Sequence, residues 1–326
     1  MDQVPCRFGP FTLIERLNRS AMAEVYVASR PGDEPVVLKR LLPPLLQDPA
    51  FRRLFAHECY LGARLADPAL PIVFEEGQID GWPYMLLLPA AGLPLVRLLA
   101  VALKHHRRVS VPTALQIALP ICRALVALHH VVDDEGSPLE AIHMDVSPHN
   151  VLVNAEGEVV LIDLGIARSR RLDAGSARLR GRSAYLAPEQ LDAPGTIDAR
   201  VDIFAFGTLL HETLCCRPLF RAATEEQTLY RLRHAPVPSL PEDLPHRERL
   251  DPILARCLAR PPDERYPDTW QLRVALEDLA AAIQLDAHRA KIVSEINTLH
   301  VLAEATEADP VAPIRAKNAR AGICAC

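Results

Sequence analysis

Three oxygen-bearing side chains sit where this sequence could bring them to one place. Asp145 and Asn150 lead into the apolar run Val151-Leu152-Val153, and Asp163 follows directly on the run Val159 to Ile162. Between the runs lies Asn154-Ala155-Glu156-Gly157, so the two read as a short hairpin with all three side chains at its open end. Hard cations prefer oxygen ligands, which makes Asn150 and Asp163 candidates to hold Mg2+ and leaves Asp145 to accept a proton. Without that hairpin, His143-Met144-Asp145 and Asn150 would be no more than polar turn residues. A fourth side chain stands out by its setting: Glu58 falls on the same helical stripe as Phe51, Leu54, Phe55, Leu61 and Leu65. A carboxylate facing a core needs a cationic partner.

The elements that must position these groups fall into two lobes. From Phe11 to Leu42 the pattern is two β-like runs around an irregular turn, then Arg30-Pro31-Gly32-Asp33-Glu34 and the compact strand Val36-Val37-Leu38. A helix is expected over 51–65. Val73-Phe74 and Tyr84 to Leu88 flank the turn Ile79-Asp80-Gly81, a hairpin that closes a small five-stranded sheet. This first lobe spans 1–88. Beyond the Pro- and Gly-containing segment Pro89 to Pro94, long apolar helices take over, among them Thr113 to Val132, which Pro120 is expected to bend. Val201 to Leu214 is nearly all apolar and reads as a buried central helix. The second lobe spans 89–285, and a helical extension with a mobile tail containing Pro310 and Pro313 covers 286–326.

The 326 residues carry 36 Lys and Arg against 41 Asp and Glu, a net charge of -5, which offers no basic face for a nucleic-acid backbone. No run of about 18 uncharged apolar residues and no leader pattern occur, so a soluble cytoplasmic chain without membrane association is expected. The eight cysteines (Cys6, Cys59, Cys122, Cys215, Cys216, Cys257, Cys324 and Cys326) are too sparse for a disulfide scaffold and lack Cys-x-x-Cys spacing. Most are expected to be small buried hydrophobes, with Cys324 and Cys326 in a frayed tail.

Taken in chain order, Val37-Leu38-Lys39, Glu58, His143-Met144-Asp145 through Asn150, Asp163-Leu164-Gly165 and Ala187-Pro188-Glu189 resemble the landmarks of the eukaryotic-like (Hanks-type) serine/threonine protein kinases, more closely their bacterial members. Asp202 to Gly207 and Arg265 match later landmarks, and the resemblance runs from about Phe8 to about Leu285. It implies an α+β, bilobal protein-kinase-like fold, with a small antiparallel β-sheet lobe carrying one key helix and a larger, mostly helical lobe. It also implies transfer of the γ-phosphoryl group of ATP, where the protein mainly positions reactants and neutralises charge.

By the same resemblance, Lys39 contacts the α- and β-phosphates and is held by Glu58, which supplies the cation that Glu58 needs. Asp145 orients the substrate hydroxyl as base, and Asn150 and Asp163 hold the metal. Leu17, Asn18, Ser20, Ala23 and Val25 line the nucleotide from above, Leu87 stands at the back of the adenine pocket, Leu88 to Ala90 form the hinge, and Leu152 adds a further contact. Glu189 and Arg265 are expected as a buried pair anchoring the activation segment, and Asp202 as a cap on backbone amides near the catalytic loop. Each residue alone has an ordinary reading as an ion pair, a solvated turn or a core leucine. Their joint order outweighs it.

Several positions depart from the family pattern. The three glycines of G-x-G-x-x-G are replaced by Asn18, Ser20 and Ala23. If positive φ is required there, Ser and Ala each lose on the order of 1 kcal/mol, so weakened nucleotide affinity is expected. The lysine two residues after the catalytic Asp is Ser147, and the activation-segment threonine that would face it is Arg182. Arg182 either supplies charge stabilisation at the γ-phosphate or is one more cation of the basic run Arg168 to Arg182. Met144 replaces the arginine that receives a phosphorylated loop, and Asp163 to Glu189 contains no Thr, only Ser169, Ser176, Ser183 and Tyr185. Loop phosphorylation is therefore not expected to be the main switch.

Two functional classes stay open. An active ATP- and Mg2+-dependent serine/threonine protein kinase in bacterial signalling leads, because Lys39, Glu58, Asp145, Asn150 and Asp163 all survive. The alternative is a catalytically weak pseudokinase acting as a nucleotide-binding or scaffold module. A small-molecule phosphotransferase is disfavoured by Ala187-Pro188-Glu189 and Arg265. The partners expected are a protein substrate and a regulatory protein docking on the helical extension after Trp270, with no nucleic acid and no membrane.

Overall fold

Short runs of β-branched and aromatic residues separated by turn chemistry make the strands of the first lobe. The computed structural model describes residues 4–165, 167–169, 182–192 and 197–307. In it β1 (Cys6–Phe8), β2 (Phe11–Arg19), β3 (Ala23–Ser29), β4 (Val36–Leu41), β5 (Val73–Ile79) and β6 (Trp82–Leu87) form one antiparallel sheet in the order β1-β2-β3-β4-β6-β5. This sheet has six strands rather than the expected five. The added strand is β1, three residues long and too short to show an alternating pattern, which pairs with β2 so that Phe8 lies opposite Phe11. Asp80 and Gly81 both take positive φ between β5 and β6, the conformation that matches the twist of paired strands.

The helix α1 spans Pro49–Gly62, starting two residues before the expected 51–65 and stopping three short of it. Asp48 sets the start: its carboxylate accepts the Ala50 amide, and Pro49 suits the first helical turn. Phe55 and Cys59 of α1 pack with Leu41, Val73 and Met85, which seats the helix on the inner face of the sheet.

In the second lobe a three-stranded sheet of β7 (Leu93–Pro94), β8 (Val151–Val153) and β9 (Val159–Leu161) carries the predicted hairpin. Around it lie α2 (Leu95–Lys104), α3 (Val111–His129), α4 (Pro188–Asp192), α5 (Arg200–Cys215), α6 (Glu225–His234), α7 (Arg247–Cys257), α8 (Thr269–Ala282) and α9 (Arg289–Glu307). α3 continues as one helix through Pro120 and is long and apolar enough to cross a bilayer, but its apolar residues form the centre of this lobe. In α5 every residue from Val201 to Leu214 is buried, as its composition predicts.

The extension is not an appendage. Ile292, Ile296 and Leu299 of α9 are buried in the same core as α2 and α3, and Ala303 is buried as well. The Glu295 carboxylate accepts from Ser110 N at 2.8 Å, Ser110 Oγ at 2.6 Å and Thr113 Oγ1 at 2.7 Å, so it completes the cap of α3. Arg97 donates to Ala303 O at 3.0 Å, and His300 Nε2 donates to Val153 O at 3.0 Å. The apolar side of α9 is thus covered by the chain's own second lobe. Among the described residues no disulfide forms, and Cys59, Cys122, Cys216 and Cys257 are buried as expected. Pro310, Pro313, Cys324 and Cys326 lie outside the described residues.

Candidate functional site

Alternation along β4 turns Leu38 and Arg40 to one face of the sheet and Val37, Lys39 and Leu41 to the other, toward α1. The Lys39 Nζ lies 2.5 Å from Glu58 Oε1 and 2.9 Å from Asp163 Oδ1. One ammonium thereby joins β4, α1 and the segment that leaves β9. Burial pulls the Lys39 pKa down, but Asp163 and Glu58 outweigh it and hold it above its ordinary value. Lys39 in turn holds the Asp163 carboxyl below the usual carboxylate range despite its burial. The cation that Glu58 required is therefore Lys39.

Asp163 has φ 75°, sparsely populated for a residue with a Cβ, and its Oδ1 also accepts the Gly165 amide at 3.1 Å. A Cβ on Gly165 would stand 2.9 Å from Asp163 Oδ1 and 3.1 Å from Met22 Cε. Glycine is what lets this segment pass between the β2–β3 turn and the ion triad.

Five residues into the loop, Asn150 Nδ2 donates to Asp145 Oδ2 at 2.7 Å and to Asp145 O at 2.9 Å. Burial raises the Asp145 pKa, and the Asn150 bond works against that rise. The loop backbone is fastened from α5: Asp202 accepts the amides of His143 at 2.7 Å and Met144 at 2.9 Å, which holds Met144 at φ 72°. Asp202 also pairs with His129 Nε2 at 2.8 Å, whose Nδ1 lies 3.1 Å from Thr269 Oγ1. This is the capping role that its place at the start of α5 predicts, extended by a His129–Thr269 arm that the spacing of these residues does not reveal.

The residues present fit a divalent cation. Asn150 spends its N–H groups on Asp145, which leaves its carbonyl oxygen for a hard ion, and Asp163 adds carboxylate oxygen. Asp145 Oδ1 is buried without a partner, so the loop carries an unspent acceptor beside them. Among the described residues no three His, Cys, Asp or Glu side chains converge as a metal cage. Such a donor set suits Mg2+ that is shared with substrate phosphates.

Ser147 Oγ and His149 Nδ1 are likewise buried without partners. His149 stands edge-on to the Tyr185 ring at 6.5 Å. Burial, with Arg182 and Arg221 adding to it, pushes the His149 pKa down to about 4, so the ring is neutral at physiological pH. Arg182 is exposed, and its charge acts on Asp145, His149 and Tyr185, which sets this cation beside the loop. Residues 170–181 of the basic run, Ser176 and Gly181 included, lie outside the described residues. His149 was missed in the sequence because a lone histidine in a polar loop carries no spacing signal.

The positions expected to face the nucleotide lie on neighbouring strands: Asn18 is opposite Val25, and Val25 opposite Lys39. None of Asn18, Ser20 and Ala23 has positive φ, so the backbone penalty considered for Ser and Ala does not arise. The turn closes on itself through Ser20 instead. Leu17 and Leu88 are both exposed, at 45% and 50%. Leu87 pairs with Val37, the Leu88 amide is taken by Ile72 O at 3.1 Å, Ala90 is partly buried, and Leu152 lies opposite Pro94.

Away from this cluster, Arg265 donates from Nη1 and Nη2 to the two Glu189 oxygens at 2.6 and 2.7 Å. It also reaches the carbonyls of Ala259, Arg200 and Arg260, with no side-chain exposure. The pair ties α4 to the body of the second lobe.

The model of the protein kinase domain family matches residues 80–272. That range takes in the expected hinge and the helical lobe and leaves Lys39, Glu58 and the β2–β3 turn outside. The chain is 33% identical over 279 residues to the tyrosine-protein kinase MasK of Myxococcus xanthus, covering 83% of this chain and 43% of that protein. It is 29% identical over 319 residues to the serine/threonine-protein kinase PknH of Mycobacterium bovis, covering 96% and 51%. The chain thus spans about half or less of the curated relatives it matches. Among solved structures, the PknI kinase domain of Mycobacterium tuberculosis superimposes with a TM-score of 0.62 at 26% identity, covering 85% of this chain and 99% of that one.

Proposed function

As the chain belongs to the protein kinase domain family, we propose that it is an ATP- and Mg2+-dependent protein kinase that phosphorylates serine or threonine hydroxyls of a protein in bacterial cytoplasmic signalling. The observation that carries this reading is the bridge from Lys39 to Glu58 and Asp163, made between lobes and set beside the Asp145–Asn150 pair. ATP with its cation supplies the phosphoryl group. Lys39, kept charged by its two carboxylates, orients and neutralises the phosphates, and Asn150 and Asp163 offer oxygens to the cation. Asp145, its carboxylate fixed by Asn150, accepts a hydrogen bond from the substrate hydroxyl and takes its proton. Arg182 adds positive charge beside Asp145 where the lysine of the family is absent.

Serine and threonine are the acceptors by likeness to PknH, while MasK is named a tyrosine kinase. Incubation with γ-labelled ATP followed by phosphoamino-acid analysis tests this: label in phosphoserine or phosphothreonine, absent from Asp145→Ala, is expected, and label confined to phosphotyrosine refutes the acceptor class. The second reading, a weakly catalytic scaffold, is favoured only by the self-closed β2–β3 turn.

A further inference from the structure

The tip of the β2–β3 turn directs two backbone amides at one protein oxygen. Ser20 Oγ accepts from Met22 N at 3.3 Å and from Ala23 N at 3.1 Å, while its own hydrogen goes to Ala23 O at 3.3 Å. Ser20 N closes the ring on Ala23 O at 2.9 Å, and Asn18 Oδ1 takes the Arg19 amide at 2.8 Å. The amides of Arg19, Ser20, Met22 and Ala23 are thus all engaged inside the turn. Two amides converging on one acceptor form the kind of concavity that holds an anion, and here the acceptor is a neutral hydroxyl.

We propose that Ser20 is a built-in stand-in for a phosphate oxygen. Its hydroxyl fills the two amides that the turn would otherwise offer to the terminal phosphates of a nucleoside triphosphate. The chain then binds the adenosine part at the hinge and the inner phosphates through Lys39, and gains little from the turn. Ser20 is in this sense an affinity-setting residue that holds the turn in a closed, self-satisfied form. The inference rests on the nucleotide-site reading above and deepens it.

The test uses the full chain, with Ser20→Ala to remove the hydroxyl and Ser20→Thr to keep it. In ligand-free protein, amide exchange at Met22 and Ala23, followed by NMR, is expected to speed up about tenfold or more in Ser20→Ala and to stay at the wild-type rate in Ser20→Thr. Calorimetric titration with Mg2+ present is expected to show ATP binding at least about fivefold tighter in Ser20→Ala, since amide bonds to a charged phosphate are stronger than those to a hydroxyl. Adenosine affinity stays within about twofold. Unchanged exchange, an unmoved ATP affinity, or equal tightening of ATP and adenosine overturns the proposal while leaving the nucleotide site standing. Absence of adenosine binding in every variant overturns the nucleotide-site reading and this inference together.

Discussion

Asn150 turns both hydrogens of its side-chain amide onto Asp145, one to the carboxylate at 2.7 Å and one to the main-chain carbonyl at 2.9 Å. The residue assigned to the cation therefore also fixes the residue assigned to the substrate hydroxyl. Asn150→Ala removes both effects at once. Turnover is expected to fall by about 100-fold or more, the range for a mispositioned general base, and the Mg2+ concentration for half-maximal rate to rise. Initial rates across a Mg2+ series check it, and an unmoved Mg2+ dependence contradicts the shared role.

Arg182 is expected to act on the rate rather than on nucleotide binding, because its charge acts on Asp145 and His149. Arg182→Ala should lower turnover by about 100-fold, comparable to loss of one preorganised donor, with the ATP dissociation constant within about twofold of wild type. An unchanged rate makes Arg182 one more cation of the basic run.

Stability should depend on pH through His149. Its folded pKa of about 4 lies below the ordinary histidine value near 6.5, so between these the unfolded chain binds the extra proton and stability falls as pH falls. Burial lowers His143 as well, with the same sign. His149→Gln should make the decline of melting temperature from pH 6.5 to pH 4 shallower without abolishing it. An identical slope removes His149 from the account.

The Glu189–Arg265 pair is a stability element. Arg265→Ala leaves a carboxylate and three carbonyls without their donor, and a loss of about 3–5 kcal/mol is expected for breaking such a buried pair. Denaturant titration measures it, and a loss under about 1 kcal/mol contradicts the pair's structural role.

Much of the site was legible because each part rests on a local rule. The carboxylate on the apolar stripe of α1 called for a cation, and the turn at Asn154 to Gly157 brought Asn150 and Asp163 to one end. What stayed hidden depends on contacts between distant segments. Glu295 reads as an exposed helical acid until Ser110 and Thr113 are placed under it, and His129 shows no link to Asp202 along the chain. The three residues of β1 follow the same logic, since only pairing with β2 makes them a strand. The closed turn was hidden for another reason: the missing glycines pointed to backbone strain, whereas the Ser20 hydroxyl changed the hydrogen bonding instead.

The contact between Lys39 and Asp163 is the centre of the proposed chemistry, and the isosteric change Asp163→Asn tests it by removing charge while keeping shape. The measurement is the initial rate of label transfer from γ-labelled ATP to a protein acceptor at saturating Mg2+. The wild type is expected to transfer label and Asp163→Asn to lose at least about 1000-fold of that rate, the scale for losing charge stabilisation of a phosphoryl group. Equal rates in the two proteins would contradict the assignment of this site.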